Sequence, residues 1–253
     1  MTIVFIGAGN LATNLSIAFK KAGYSILQVY SRTEKSAREL SKKINCDYTI
    51  DINKLKKADI YFFAVGDKVI KKLLESNNFE NKFIVHTAGS VSIDVFKDKS
   101  NNYGVFYPIQ TFSKERIVDF KNIPICIEAN NRDSQKLLEN IVNSISDDLR
   151  IINSEQRKLI HLTAVFACNF VNHLYSISSD ILKKGNISFD ILKPLIIETA
   201  NKIIDNDPKC AQTGPAVRND NQTIEKHLKM LNDDNLKNIY KLFSDDIFRK
   251  MNG

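Results

Sequence analysis

Short apolar runs alternate with amphipathic segments up to about residue 153 of the chain. Residues 2–6 are apolar and β-branched, and residues 10–22 carry apolar side chains at helical spacing. Residues 59–65 are apolar without alternation, which is typical of a strand buried on both faces of a parallel sheet. Further strands are predicted at residues 25–30, 47–50, 83–86, 105–106 and 123–127. This β-α-β rhythm predicts an α/β fold with a doubly wound, mostly parallel Rossmann sheet.

The pattern changes after residue 153, beyond which the apolar positions follow helical spacing alone. Helices are predicted at about residues 155–183, 189–205, 221–231 and 235–250. We therefore expect two domains, which are a Rossmann domain at residues 1–153 and an all-helical domain at residues 154–253.

One stretch of the helical half, from Leu159 to Ser179, contains no Asp, Glu, Lys or Arg. Its length would span a bilayer, but it carries polar groups such as His161 and Asn169, which are costly in lipid. We therefore predict a helix surrounded by protein rather than a membrane span. A helical domain of about 100 residues has limited capacity to cover such a helix. A homodimer through the C-terminal helices is the expected solution.

Composition changes this picture little. The 253 residues include 36 basic and 29 acidic side chains, a net charge of +7, and the lysines are spread in pairs. A nucleic-acid binder would need a contiguous basic face, so no nucleic-acid partner is predicted. Four cysteines without C-x-x-C spacing, and an N-terminus without a basic leader, predict reduced thiols, no metal site and a cytoplasmic location.

The strongest chemical signal is a G-x-G-x-x-A pattern between a predicted strand and a predicted helix. Gly7 permits a tight turn, Gly9 lets the backbone approach a pyrophosphate, and Ala12 allows the helix to pack closely on the sheet. The helix N-terminus then offers free N–H groups to phosphates. The pattern predicts a dinucleotide site formed by Gly7, Ala8, Gly9, Asn10, Leu11 and Ala12.

The end of the second strand decides which dinucleotide is expected. An NAD site places an Asp or Glu there for the ribose 2′-hydroxyl, whereas this chain has Ser31, Arg32 and Thr33. A guanidinium suits a 2′-phosphate, and the hydroxyls can donate hydrogen bonds, so NADP is the predicted cofactor. The alternative is an exposed surface arginine beside Thr33, which also fits the N-cap of the next helix.

Other candidates follow the carboxyl ends of the strands, where ligands bind in open α/β sheets. Small residues would let a nicotinamide ring lie close, and hydroxyls would bind its amide or a substrate. Ordinary turn chemistry explains the same residues equally well. The candidates are Val65, Gly66, Thr87, Gly89 and Ser90 for the cofactor and Gln110 for the substrate.

The helical half contributes the remaining candidates. His161 is the candidate proton donor, because imidazole exchanges protons near neutral pH. Asn169 or Thr213 would orient the reacting group, and Arg218, in a Gly-Pro loop, would bind a carboxylate or another anion. The alternatives are satisfied core polar groups for the helix residues and an ordinary helix connection for the loop.

Together these segments resemble the two-domain bacterial oxidoreductases that join a Rossmann-like domain to a helical C-terminal domain of unknown function. The chain is more distantly similar to pyrroline-5-carboxylate reductase and to NADP:deazaflavin (coenzyme F420-dependent) oxidoreductases. The resemblance implies a dimer and covers nearly the whole chain. It rests on residues 7–12, 86–90, 107–113, 161–169 and 213–220 with His227.

Two departures narrow the chemistry that the resemblance implies. The family usually has His-Pro where this chain has Tyr107-Pro108, so a catalytic histidine is not expected there. The similar β-hydroxyacid dehydrogenases place a catalytic lysine four residues before an asparagine, but Val165 precedes Asn169 here. We therefore predict a reductase that transfers hydride to a small anionic metabolite in an interdomain cleft. The alternative is a non-catalytic NADP-binding sensor or partner protein.

Overall fold

The computed structural model describes residues 1–75 and 77–252, and the chain divides into the compact units Met1–His173 and Leu174–Gly253. The first unit is built on one eight-stranded sheet in the order β3-β2-β1-β4-β5-β6-β7-β8. Its strands are β1 Thr2–Ile6, β2 Ser25–Tyr30, β3 Asp47–Thr49, β4 Ile60–Phe63, β5 Phe83–His86, β6 Asn102–Pro108, β7 Ile125–Ala129 and β8 Leu149–Ile151.

Helices cover both faces of this sheet and continue into the second unit. The first unit contains α1 Asn10–Lys21, α2 Glu34–Ile44, α3 Asp67–Glu75, α4 Arg132–Asn143 and α5 Ser154–Ala164. A π-helical segment, Val165–Phe170, joins α5 to α6 Val171–Lys184, and the division between the units falls within α6. The second unit contains the rest of α6 with α7 Lys193–Asp205, α8 Asn221–Met230 and α9 Asp234–Asn252.

The strand order places β1 between β2 and β4, which is the point where the chain reverses its direction of winding. Ile6 pairs in parallel register with Tyr30 on one side and with Phe63 on the other. The three strand ends therefore lie side by side, and the turns that follow them meet at one edge. This edge is the sheet's switch point, where ligands of such folds bind.

The core forms one apolar layer on each face of the sheet. Ile3 and Phe5 of β1 pack with α1 and α2, whereas Val4 and Ile6 pack with α3 on the opposite face. Phe62 stacks on Phe5 with 5.6 Å between ring centroids. Because both faces are covered, the strands are apolar without alternation, as the sequence pattern indicates.

The predicted fold class is confirmed, with additions. The strand β7 runs antiparallel to β6, and the elements α4 and β8 were not predicted from the sequence. The long helix predicted at about residues 155–183 is present, but its middle is π-helical. The domain boundary at residue 153, two residues after β8 ends, stays a prediction.

The charge-free helix is exposed in the single chain, so its cover by a second subunit stays a prediction. Leu159 and Phe166 are 62% and 61% exposed. Every residue of α7, α8 and α9 is described by the structure, and none of them is buried. Within residues 1–75 and 77–252, no helix is long and apolar enough to cross a membrane.

Candidate functional site

The turn after β1 has the geometry that the glycine pattern predicts. Gly7 has φ of +122°, and its N–H donates to the Tyr30 carbonyl at 2.8 Å. A Cβ at Gly7 would lie 2.1 Å from the Ala64 carbonyl oxygen, whereas a Cβ at Gly9 would meet nothing within 4 Å. Ala12 is fully buried against the sheet. The turn therefore needs glycine at Gly7 for its own closure and leaves open space at Gly9.

The N-terminus of α1 presents uncapped N–H groups at this turn. The N-cap residue is Gly9, which has no side chain, and the first turn carries no acidic residue. The first N–H groups of a helix lack intrahelical acceptors and lie at the positive end of the helix dipole. This end of α1 is suited to a phosphate.

A cavity of about 310 Å³ lies beside this turn and extends to the end of β2. Seven of its residues were predicted for the cofactor, and the described lining residues include Arg32 but no carboxylate. Ser36 and Lys114, which were not predicted, also line it. The full lining is Gly7, Ala8, Gly9, Tyr30, Ser31, Arg32, Ser36, Ala64, Val65, Gly66, Val69 and Lys114.

Among the seven predicted cofactor residues that do not line this cavity, Asn10, Leu11 and Thr33 lie at the starts of α1 and α2. Thr33 occupies the N-cap of α2 as predicted, but its side chain makes no capping hydrogen bond. Asn10 and Leu11 belong to the first turn of α1, where Asn10 is exposed. Their contribution would come through the backbone N–H groups of the helix end.

The residues after β5 form a second cluster at the same edge of the sheet. Thr87 is buried, and its N–H and hydroxyl both donate to the Phe63 carbonyl, at 3.2 and 3.3 Å. The Ser90 hydroxyl donates to the carboxylate of Asp67. Both predicted hydroxyl ligands therefore have partners within the protein, and a nicotinamide amide would have to share or replace these bonds.

His161 lies over this cluster. A Cβ at Gly89 would lie 2.6 Å from Cγ of His161, so the imidazole occupies the space that a larger residue would fill. The Tyr107 hydroxyl lies 3.0 Å from Nδ1 of His161, and the two rings are nearly perpendicular. The structure thus brings together residues from β6, from the turn after β5 and from α5.

The hydrogen bond between Tyr107 and Nδ1 of His161 bears on which ring nitrogen carries a proton. Burial raises the pKa of Tyr107, and the neighbouring Cys126 adds to the rise. The phenol is therefore protonated at neutral pH and can donate to Nδ1 of His161. A neutral imidazole held in this way carries its proton on Nε2.

A buried ion pair fixes the helix that carries His161. Arg157, one turn before His161, is fully buried and pairs with the carboxylate of Glu128. The same carboxylate accepts from the backbone and hydroxyl of Ser154, at 3.0 and 2.7 Å, and Arg157 also donates to the Val91 carbonyl at 2.5 Å. These contacts join the start of α5 to β7 and to the turn after β5.

The buried histidine at the end of β5 is not a second proton donor. Burial, followed by the charge of Arg157, lowers the pKa of His86 to about 3. Its Nδ1 accepts from the Ala88 N–H at 3.2 Å. His86 is therefore neutral at physiological pH and serves to shape the turn that holds Gly89.

The remaining first-unit candidates are exposed. Gln110 turns its side-chain carbonyl back onto the Thr111 N–H at 2.8 Å. Asn169 lies in the π-helical segment and is exposed. A π-helix has more residues per turn than an α-helix, so the expected angle between His161 and Asn169 changes. Their roles at the site stay predictions.

The two other candidates, Thr213 and Arg218, belong to the second unit. Thr213 lines a cavity of about 580 Å³ that is mostly apolar and is bounded by α6, α8 and α9. Arg218 is exposed, and the next carboxylate, Asp220, caps α8 through the Thr223 N–H at 3.0 Å. Their predicted place opposite His161 stays a prediction.

Sequence reasoning missed Tyr107 and Lys114. In the sequence, Tyr107 stands only as a departure from the His-Pro that the resemblance implies, although a phenol also forms hydrogen bonds with imidazole. Lys114 belongs to no motif. It lies 81 positions after Thr33, the last predicted cofactor residue at the end of β2. Only the course of the chain brings it to the cavity.

Two family models match the chain. The model for "NADP oxidoreductase coenzyme F420-dependent" matches residues 2–89, and the model for "Domain of unknown function (DUF2520)" matches residues 123–247. The first match contains the glycine turn and the turn after β5. The second begins just before β7 and contains most of the helical part of the chain, ending within α9.

Solved structures extend this similarity to the whole chain. A Bacteroides fragilis protein, BF3122, described as a "putative NADP oxidoreductase", is 46% identical, with 98% of each chain covered and a TM-score of 0.93. The protein TM1727 from Thermotoga maritima is 25% identical over 95% of this chain and 97% of that one, with a TM-score of 0.76.

More distant similarity is limited to the fold. A 1-pyrroline-5-carboxylate reductase from Streptococcus pyogenes is 12% identical over 99% of this chain and 98% of that one, with a TM-score of 0.65. No curated protein gives a significant match. The similarities therefore identify a family and a fold, and they leave the substrate open.

Proposed function

The chain belongs to the family of two-domain oxidoreductases that join an NADP oxidoreductase domain to a DUF2520 domain, and we propose that it is an NADPH-dependent reductase of small anionic imines or carbonyl compounds. The observation that carries the proposal is His161, which is held by Tyr107 over Gly89 at the switch-point edge of the sheet. A hydride donor and a proton donor at one edge are what such a reduction needs.

The cofactor cleft supports NADP over NAD. The described residues that line it carry the cations of Arg32 and Lys114 and no carboxylate for a free 2′-hydroxyl. The open space at Gly9 and the uncapped end of α1 fit a pyrophosphate. Bound NADPH would supply the hydride.

Within the protein, His161 would deliver the proton. The imidazolium form would donate its Nδ1–H to the Tyr107 oxygen and give its Nε2 proton to the substrate nitrogen or oxygen, and the neutral ring would then take a proton from solvent. Gln110 and Asn169 would orient the substrate, whereas the roles of Thr213 and Arg218, which belong to the second unit, stay predictions. The cytoplasm, where four free cysteines stay reduced, is the proposed location.

Replacing Arg32 with alanine tests the cofactor assignment. Charge-assisted hydrogen bonds to a phosphate contribute about 1.5–3 kcal/mol. We therefore expect Kd for NADPH to rise at least about tenfold and Kd for NADH to stay within about twofold, measured by nucleotide fluorescence titration. Arg38→Ala, on the exposed face of α2 outside the cavity, is the matched control. Equal losses for both nucleotides would refute the assignment.

We propose that the chain forms a homodimer through its helical part. Along the helix from α5 through the π segment, large apolar side chains recur at helical spacing and stay exposed. A stripe of this kind marks an interaction surface. A second copy is the simplest partner, because a two-fold dimer places the same surface on both sides. The stripe consists of Leu159, Leu162, Phe166 and Phe170.

The dimer has a direct test. Light scattering at micromolar concentration is expected to give twice the chain mass, and Phe166→Glu is expected to weaken the dimer at least about tenfold, since burying a charge in an apolar interface is costly. Circular dichroism would establish that the variant is folded. A wild-type monomer at this concentration would rule the proposal out.

A further inference from the structure

The segment between β6 and β7, residues 109–124, contacts α1 through the buried side chain of Asn14. Asn14 of α1 is fully buried. Its Nδ2 donates to the Asn10 and Ser113 carbonyls at 3.0 and 2.8 Å, and its Oδ1 accepts from the Val118 N–H at 3.1 Å. The side-chain amide thus holds the segment at two points five residues apart.

Further contacts fix the residues between these points. Phe112 and Phe120 stack with 5.6 Å between ring centroids, and the Lys43 ammonium donates to the Lys114 carbonyl at 3.2 Å. The segment is therefore ordered by side chains of α1 and α2, although it contains neither helix nor strand. Lys114 is carried in this way to the cavity that Arg32 and the glycine turn also line.

The surroundings of Lys114 leave its charge available to a ligand. Its nearest carboxylate is Glu39, at 3.9 Å, and that side chain is about half exposed. Such an exposed ion pair contributes little and is easily exchanged. The cavity thus holds two cations, Arg32 and Lys114, with the hydroxyls of Ser31 and Ser36. This set suits a phosphate monoester, which carries about two negative charges.

We propose that Lys114 is the second cation of the ribose 2′-phosphate site. The preference for NADPH then depends on a residue that follows β6, far along the chain from the β2 end, and on the Asn14 amide that fixes its position. The inference rests on the proposed function, because it takes NADPH as the cofactor. It adds that Arg32 and Lys114 share one phosphate.

The test compares two lysines of the same segment. Lys114→Ala is expected to raise Kd for NADPH about tenfold and to leave Kd for NADH within about twofold, because only NADPH has the phosphate. Lys121→Ala is the matched control, since Lys121 also faces a carboxylate, Asp147, at 4.0 Å, but lies outside the cavity. Lys114→Arg is expected to retain most of the preference, because it keeps the charge.

A third variant tests the direction of the effect. Glu39→Gln removes the carboxylate that competes for Lys114, so NADPH is expected to bind more tightly to this variant and NADH is not. Unchanged NADPH affinity in Lys114→Ala would refute the inference and leave the proposed function standing. Failure of the wild-type protein to bind either nucleotide would refute both.

Discussion

Replacement of His161 by glutamine is expected to lower kcat for NADPH-dependent reduction by about 100- to 10,000-fold, the contribution typical of a positioned general acid. Kd for NADPH should change by less than about twofold, because the cofactor cavity is lined by other residues. Glutamine retains a hydrogen-bonding side chain of similar length but cannot act as an acid at neutral pH. The assay follows NADPH oxidation with a panel of carboxylate-bearing cyclic imines and carbonyl compounds.

Two further variants separate proton transfer from general disruption. Tyr107→Phe keeps the ring and removes the hydrogen bond to Nδ1 of His161, so a smaller loss of kcat, about fivefold, is expected. His173→Gln changes an exposed histidine farther along the same helical run and should leave kcat unaltered. Full activity in His161→Gln would show that the proton comes from another group.

Gly7→Ala is expected to destabilise the protein by about 3 kcal/mol or more. A left-handed φ of +122° is strained for alanine, and the added methyl group would lie 2.1 Å from a backbone oxygen in the neighbouring turn. Gly9→Ala should change the free energy of unfolding by less than about 0.5 kcal/mol, because its methyl group meets no atom within 4 Å. Urea denaturation measures both values.

The same pair of variants tests the cofactor cleft. The methyl group of Gly9→Ala would project into the space assigned to the pyrophosphate, so we expect a stable protein with at least about tenfold weaker binding of NADPH and of NADH alike. This differs from Arg32→Ala, which should affect NADPH alone. A stable Gly9→Ala protein with normal affinity for both nucleotides would place the pyrophosphate elsewhere.

The features that can be predicted from the sequence are those that depend on a few neighbouring residues. The continuous apolar run before residue 64 identifies a central parallel strand, and Gly7 identifies the turn, because both constraints act over a few residues. The antiparallel direction of β7 was not predicted, since the strand itself has the same apolar pattern in either direction. The π-helical segment was not predicted either, because residues 165–170 carry no sequence pattern that distinguishes it from an α-helix.

The parts that escape prediction depend on distant residues. Lys114 reaches the cofactor cavity because Asn14, about 100 positions earlier, fixes the segment that carries it. Tyr107 meets His161 across 54 positions, and the space for the imidazole depends on Gly89. Neither contact is encoded in a short sequence motif, so each is seen only once the course of the backbone is known.

The central claim is that the protein transfers hydride from NADPH to a substrate. Its most direct test supplies NADPH that carries deuterium at the transferable position, together with the imine and carbonyl panel, and measures deuterium in the reduced product by mass spectrometry. We expect deuterium in at least one product with the wild-type protein and a strongly reduced yield with His161→Gln. Tight binding of NADPH without formation of any deuterated product across the panel would contradict the claim and favour a protein that binds NADP without turnover.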